Sequence, residues 1–198
     1  NFPSKTYTVG SLHKVGSFIF AKRYLTKPGH YKLEVRVEGT DIANDWDFWV
    51  FPAKLPELRS DIYYCTSLDE KAEQVLQSGG KVFLNANGKV VKGKEIAIQF
   101  TPVFWNTSWF KMRPPHVLGL LIQNTHPAFS EFSTSYHSDY QWWSIVTKAQ
   151  VMHLEDFPKG FKPLVQPIDT WFMNRKLGLV FEAKVGNGKL IVSSGTIS

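Results

Sequence analysis

Cysteine is nearly absent from this chain. The single thiol, Cys65, cannot close an internal disulfide and leaves no cysteine cluster for zinc. The redox compartment therefore stays open on this count. Long apolar runs are missing as well: stretches such as residues 117–122 fall far short of the ~20 residues that cross a bilayer, so no membrane span is expected. The first thirty residues lack the charged, apolar, small-residue order of a signal peptide and there is no initial methionine, which reads as a processed product or an excised fragment. Concentrated charge is also missing. The net +6 comes from 23 basic and 17 acidic residues, and the densest basic groups, residues 89–94 and 159–162, are short and broken by glycine. That is a solvated basic surface, and nucleic acid is not expected as a partner. No internal repeat, heptad or low-complexity segment is found.

What remains is a globular composition, 43% hydrophobic and 20% charged over 198 residues, enough for one large domain or a domain with an appendage. Residues 30–38 alternate Tyr31, Leu33, Val35 and Val37 with Lys32, Glu34, Arg36 and Glu38, which predicts a strand with one wet face. Residues 17–24 are its expected partner across a turn at Pro28-Gly29. Trp46-Asp-Phe-Trp-Val-Phe51 carries bulky groups on both faces and predicts a strand buried between two layers. Together these look like the closing strands of a β-sandwich over residues 1–52. Residues 53–56, set between Pro52 and Pro56, then read as a stiff linker.

From residue 57 the periodicity changes. Residues 61–65 predict a short strand, Ser67 and Glu70 have capping-box spacing, and Leu68, Ala72, Val75 and Leu76 share one helix face. Gly79-Gly80 stops that helix before a second strand at 81–85. Strand, helix, strand predicts a βαβ unit with parallel pairing. Residues 117–122 are a strand or a short helix. Ser138 and Gln141 again have capping-box spacing, with Trp142, Ile145, Val146 and Ala149 as the buried stripe, which leaves Trp143 facing outward. Residues 177–185 alternate and should form a hairpin with 189–193 through Gly186-Asn187-Gly188. The expected class for residues 57–198 is α/β: a three-layer, mostly parallel, flavodoxin-like sheet ending in a β-hairpin.

Chemistry concentrates in residues 126–143, where rings, two histidines, Asp139 and several hydroxyls lie together. Sugars present apolar C–H faces and hydroxyl rims, so rings beside amides, carboxylates and guanidinium groups suit them. Trp105, Asn106, His137, Asp139, Trp143, Asp169, Asn174 and Arg175 form the candidate carbohydrate-binding set, with Trp109 and Trp171 of the same type. Cys65 between a strand and a helix is an elbow nucleophile only if glycines flank it, and Tyr64 and Thr66 do. His137 and Asp139 with a nearby serine make a nominal triad. Metal ligation by His126, His137 and Asp139 lacks helical spacing, and Asp41, Asp45 and Asp47 are a weak calcium set. No catalytic residue, metal or cofactor is assigned.

Four stretches carry a resemblance. These are Gly39-Thr-Asp-Ile-Ala-Asn-Asp-Trp-Asp-Phe-Trp-Val-Phe-Pro52, the piece at Phe104-Trp-Asn106, His126-Pro-Ala-Phe with Tyr136-His-Ser-Asp-Tyr-Gln-Trp-Trp143, and Asp169-Thr-Trp-Phe-Met-Asn-Arg-Lys-Leu-Gly178 running on to Gly186. They resemble the C-terminal region of bacterial family 2 glycoside hydrolases of the β-galactosidase-like kind. The resemblance implies the end of an immunoglobulin-like sandwich, then an accessory module similar in fold to class I glutamine amidotransferases. It also implies an exported protein of carbohydrate degradation, periplasmic or cell-surface, whose partners are a catalytic domain of the same parent or a second subunit, with glycan contact at the surface. The family's acid follows an asparagine inside a (β/α)₈ barrel. Here no glutamate follows an asparagine, and a barrel of ~250 residues does not fit. The expectation is a noncatalytic accessory portion, with an autonomous carbohydrate-binding module as the alternative.

Overall fold

The computed structural model describes residues 2–19, 27–54, 57–98 and 117–196. Among these, β1 (Gly29–Arg36) and β2 (Ala43–Val50) form an antiparallel ribbon. The register puts Tyr31 opposite Phe48 and Leu33 opposite Trp46 on one face. On the other face, His30 bonds Asp47 at 2.8 Å and Lys32 pairs with Asp45 at 3.1 Å. Strand β2 is therefore amphipathic, and the expectation of burial on both faces fails: Trp46 is 51% exposed. Aspartates at alternate positions must face water, which leaves only one apolar face. They also have cross-strand partners, so Asp45 and Asp47 are not spare calcium ligands. Of the expected partner strand at residues 17–24, residues 20–24 lie outside the described residues.

The main sheet has six strands in the order β3-β4-β10-β9-β7-β5, with β3 (Ile62–Cys65), β4 (Lys81–Asn85), β5 (Leu120–Ile122), β7 (Val165–Pro167), β9 (Val180–Val185) and β10 (Gly188–Ser193). A two-stranded piece, β6 (Met152–His153) with β8 (Leu177–Gly178), stands beside it. The βαβ unit is present: β3 and β4 pair in parallel and α1 (Glu70–Gln77) connects them. The helix is capped by Asp69, whose side chain accepts from the Ala72 N–H at 2.8 Å. Ser67 was the expected cap. Asp69 sits two residues closer to the buried Ala72 and Leu76, and the cap must lie immediately before the first helical residue, Glu70. The 186–187 hairpin also forms, with β10 antiparallel to β9.

The three-layer, flavodoxin-like expectation is overturned. Only 11% of the described residues are helical against 29% in strands. Beyond the parallel pairs β3/β4 and β4/β10, the sheet is antiparallel, β10/β9, β9/β7 and β7/β5. Parallel sheets of that class need a helix at each crossover. Here 3-10 turns (Pro127–Phe129 and Tyr140–Trp142), the four-residue α2 (Trp143–Val146) and loops take that place. The stretch 177–185 is also divided at Leu179, which stands between β8 and β9 and whose N–H bonds Val165 O on β7.

Two apolar clusters hold these elements. Helix α1 packs Ala72 and Leu76 with Val82, Leu190, Val192 and Phe181 on one sheet face. The second cluster gathers Leu120, Ile122, Val165, Leu177 and Leu179 under Trp142 and Val146. Each fully buried side chain of this size contributes roughly 1.5–3 kcal/mol. No described helix is long and apolar enough to cross a membrane.

Candidate functional site

Strand pairing brings two parts of the candidate set to one end of the sheet. On one edge of β5 a bridge joins Leu121 to His137, and the Leu120 N–H donates to Ser138 Oγ at 3.3 Å. On the other edge the Leu118 N–H donates to Ile168 O and the Ile168 N–H to Gly119 O. Residues 138–139 and 168–169 thus flank the start of β5, about two strand spacings, or ~10 Å, apart. Val165 pairs with Val180, and Val180 with Ser193, so this is the end where β3, β4 and β10 terminate. Carboxyl ends of strands are where α/β sheets hold ligands. Trp105, Asn106 and Trp109 lie outside the described residues.

At this end Asp169 organises a tight loop. Its carboxylate accepts from the Thr170 and Arg175 backbone N–H groups, each at 2.8 Å, and from Arg175 Nε at 2.8 Å and Nη2 at 3.1 Å. The Asp169 side chain is 2% exposed. Burial alone would raise its pKa, but the Arg175 guanidinium and the backbone donors outweigh it and hold the carboxyl below its ordinary value. Asn174 closes the loop at φ 48, a left-handed conformation that asparagine tolerates. Asp169 and Arg175 are therefore engaged with each other, and Asn174, exposed beside them, shapes the loop through its backbone. What their loop presents is apolar: Ile168, Trp171, Phe172 and Met173 are each between 43% and 56% exposed.

Across β5, His137 is exposed and its Nδ1 lies 3.1 Å from Ser138 O. Asp139 Oδ2 accepts from Gln141 Nε2 at 3.3 Å, and that amide also donates to Ser133 O at 2.7 Å. Asp139 Oδ1 and Gln141 Oε1 are buried and have no hydrogen-bond partner. The expected cap at Ser138 is displaced: its hydroxyl serves β5, and Asp139 stands at the start of the 3-10 turn without capping it. Trp142 is buried as the spacing requires, its Nε1–H donating to Thr134 Oγ1 at 2.8 Å and its ring edge-on to Phe132. Trp143 is half exposed beside it.

The other chemistries do not assemble. Burial raises the Cys65 thiol, helped by the Asp69 charge, and its Sγ–H points to Phe83 O at 3.8 Å. His126 accepts from the Ala128 N–H through Nδ1 and turns Nε2 toward Glu182 at 3.8 Å, away from His137. Among the described residues no three His, Cys, Asp or Glu side chains group as metal ligands. Sequence reasoning missed the display role of 171–173. The signal was there: Trp171, Phe172 and Met173 sit inside the five residues between Asp169 and Arg175, too short a span for a strand or helix to bury all three side chains.

Two family models match the chain: a domain of unknown function (DUF8487) over residues 63–198, and a second domain of unknown function (DUF8488) over residues 1–52. No curated protein matches it.

Proposed function

We propose, from the premise that the chain belongs to the domain of unknown function family DUF8487 over residues 63–198, that it is a noncatalytic accessory module. In this reading it serves an exported, β-galactosidase-like glycoside hydrolase and docks against that parent's catalytic domain or a second subunit. One observation carries it: the ion pair of the buried Asp169 carboxylate with the partly exposed Arg175 guanidinium fixes a loop whose outward side chains are Ile168, Trp171, Phe172 and Met173. A rigid apolar knob with aromatic anchors is the composition of an interface centre. Asp169 has four donors and Cys65 is held as the thiol, so neither is poised for acid, base or nucleophilic work. The resemblance of residues 39–52, 126–143 and 169–186 supplies the context.

Deleting residues 57–198 from the parent polypeptide, or replacing Trp171 and Phe172 together by Ala, is expected to lower its thermal stability or disrupt its assembly while its folded catalytic centre still turns over. A parent unaffected in stability and assembly by both changes overturns the docking role. Glycan contact is the second reading, favoured by Asp139 Oδ1 and Gln141 Oε1 standing buried without donors near the half-exposed Trp143. Saturable glycan binding by the chain, lost in Trp143→Ala with folding intact, supports it, and its absence removes it.

A further inference from the structure

Two Asn-Gly pairs lie in turns of this chain, Asn87-Gly88 after β4 and Asn187-Gly188 at the β9–β10 hairpin. At such a pair the following backbone nitrogen can reach the asparagine side-chain amide carbon, because glycine puts no Cβ in the way. The first pair sits in an open turn. The Lys89 N–H donates to Ala86 O at 3.0 Å, and Gly88 has φ +79 while Asn87 stays out of the positive-φ region, which makes residues 86–89 a type II turn. Among the described residues neither the Asn87 carbonyl, nor its side-chain amide, nor the Gly88 N–H has a hydrogen-bond partner. A Cβ built on Gly88 would meet nothing within 4 Å. The 87–88 peptide plane is therefore free to turn over while the Lys89–Ala86 bond that defines the turn stays in place.

The second pair is locked. The Asn187 side-chain amide donates to Gln77 O at 3.3 Å, and Gly188 is buried in register with Val185. A Cβ on Gly188 would stand 2.6 Å from Gly80 O and 2.7 Å from Leu76 O, and the Lys189 N–H donates to Gly80 O at 3.0 Å. Turning the 187–188 peptide means lifting the hairpin off the end of α1. A third asparagine, Asn85, is held as well. Its Oδ1 accepts from the Asn87 N–H at 3.1 Å, and the Ala86 N–H that would have to attack it donates to Ser193 O at 2.7 Å.

We propose that Asn87 is a self-modification site in the folded protein, converting to aspartate and isoaspartate with water as the only co-reactant, while Asn187 and Asn85 are protected. The Gly88 nitrogen attacks Asn87 Cγ. A new N–C bond forms, the Cγ–Nδ2 bond breaks, and ammonia leaves carrying the proton that the Gly88 nitrogen gives up. Water then opens the five-membered imide. Cleavage at Cγ gives aspartate, and cleavage at the Asn87 backbone carbonyl carbon gives isoaspartate, whose main chain runs through the former side chain. Nothing is oxidised or reduced. Each event puts a carboxylate in place of a neutral amide two residues from Lys89, whose Nζ donates to Thr66 Oγ1 at 3.0 Å. The turn shares no residue with the 168–173 loop or with residues 126–143, so the site stands or falls apart from the docking role.

The test is tryptic peptide mapping by mass spectrometry of the full chain, incubated folded in neutral and in mildly alkaline buffer and, in parallel, unfolded in urea. Trypsin releases residues 82–89 and 185–189 as separate peptides, so the two pairs are read independently. In the folded chain the 82–89 peptide is expected to gain a single mass unit, placed at Asn87 by fragmentation, and to split into two products on chromatography. Its rate should rise with pH, because the attacking nitrogen must shed its proton. The 185–189 peptide should react about tenfold more slowly or less, since it reacts only through an opened hairpin, and urea should bring the two rates together. Asn87→Gln, whose longer side chain would have to close a six-membered ring, is expected to leave 82–89 unmodified. Equal rates at the two pairs in the folded chain, an intact Asn87 over the time in which the urea-treated chain reacts, or a mass gain in 82–89 that persists in Asn87→Gln overturns the proposal.

Discussion

Removing the Asp169 carboxylate is the sharpest perturbation of this fold. In Asp169→Ala the N–H groups of Thr170 and Arg175 lose their acceptor, and the guanidinium keeps its charge with a quarter of its side chain exposed. Each buried polar group left without a partner costs about 1–3 kcal/mol, and breaking a buried ion pair from one side costs about 3–5 kcal/mol. Partial solvent access at Arg175 places the expected loss near the lower end, about 3 kcal/mol, or roughly 6–12 °C in Tm for a chain of this size. Asp169→Asn keeps the shape but turns an amide toward the Arg175 donors, so about 2 kcal/mol is expected. The pH dependence has a definite sign. The native carboxyl is held below its ordinary value of ~4, so its stabilisation is present above that value and is lost as pH falls through the depressed native one. Urea unfolding of parent and Asp169→Asn should therefore differ most at pH 5–7 and converge as pH falls below about 4. Tryptic cleavage after Arg175, which needs the loop to open, should accelerate in Asp169→Ala. A loss below about 0.5 kcal/mol, or a parent–variant gap that does not narrow in acid, refutes the stapled loop.

Three further outcomes are expected. Gly188→Ala would place a Cβ 2.6 Å from Gly80 O and 2.7 Å from Leu76 O, backbone atoms that cannot yield, and should cost about 2 kcal/mol or more in urea unfolding. Asp69→Ala removes both the α1 cap and the acceptor of the Tyr63 hydroxyl, and should lower stability by about 1 kcal/mol in the same assay, with Asp69→Ser recovering much of it. Because burial raises the Cys65 thiol, its alkylation by iodoacetamide should be slower than that of free cysteine at pH 8, with the midpoint of the rate–pH profile lying above that of the free thiol.

Local signals were legible wherever one face of an element meets a core. Alternation in 30–37 located β1, the Ala72 and Leu76 spacing located α1, Gly186-Asn187 located the hairpin, and the offset of Trp143 from Trp142 correctly separated the exposed ring from the buried one. These follow from periods of 2 and 3.6, which the chain carries without knowing its neighbours. Sequence reasoning failed where two residues compete for one role. Ser67 and Asp69 both suit a cap, and Ser138 was drawn off to β5 by a hydrogen bond only tertiary structure supplies.

The sequence by itself determined that this is a globular chain with a βαβ unit and a terminal hairpin, because turn chemistry and apolar spacing act over a few residues. Only the tertiary structure decided that β5, β7 and β9 run antiparallel, since pairing partners far apart in sequence are chosen by packing, and with that choice the second helical layer is lost. It also decided that Asp169 and Arg175, read as groups for a ligand, bond each other instead. A carboxylate that loses water must find donors, and the nearest guanidinium supplied them.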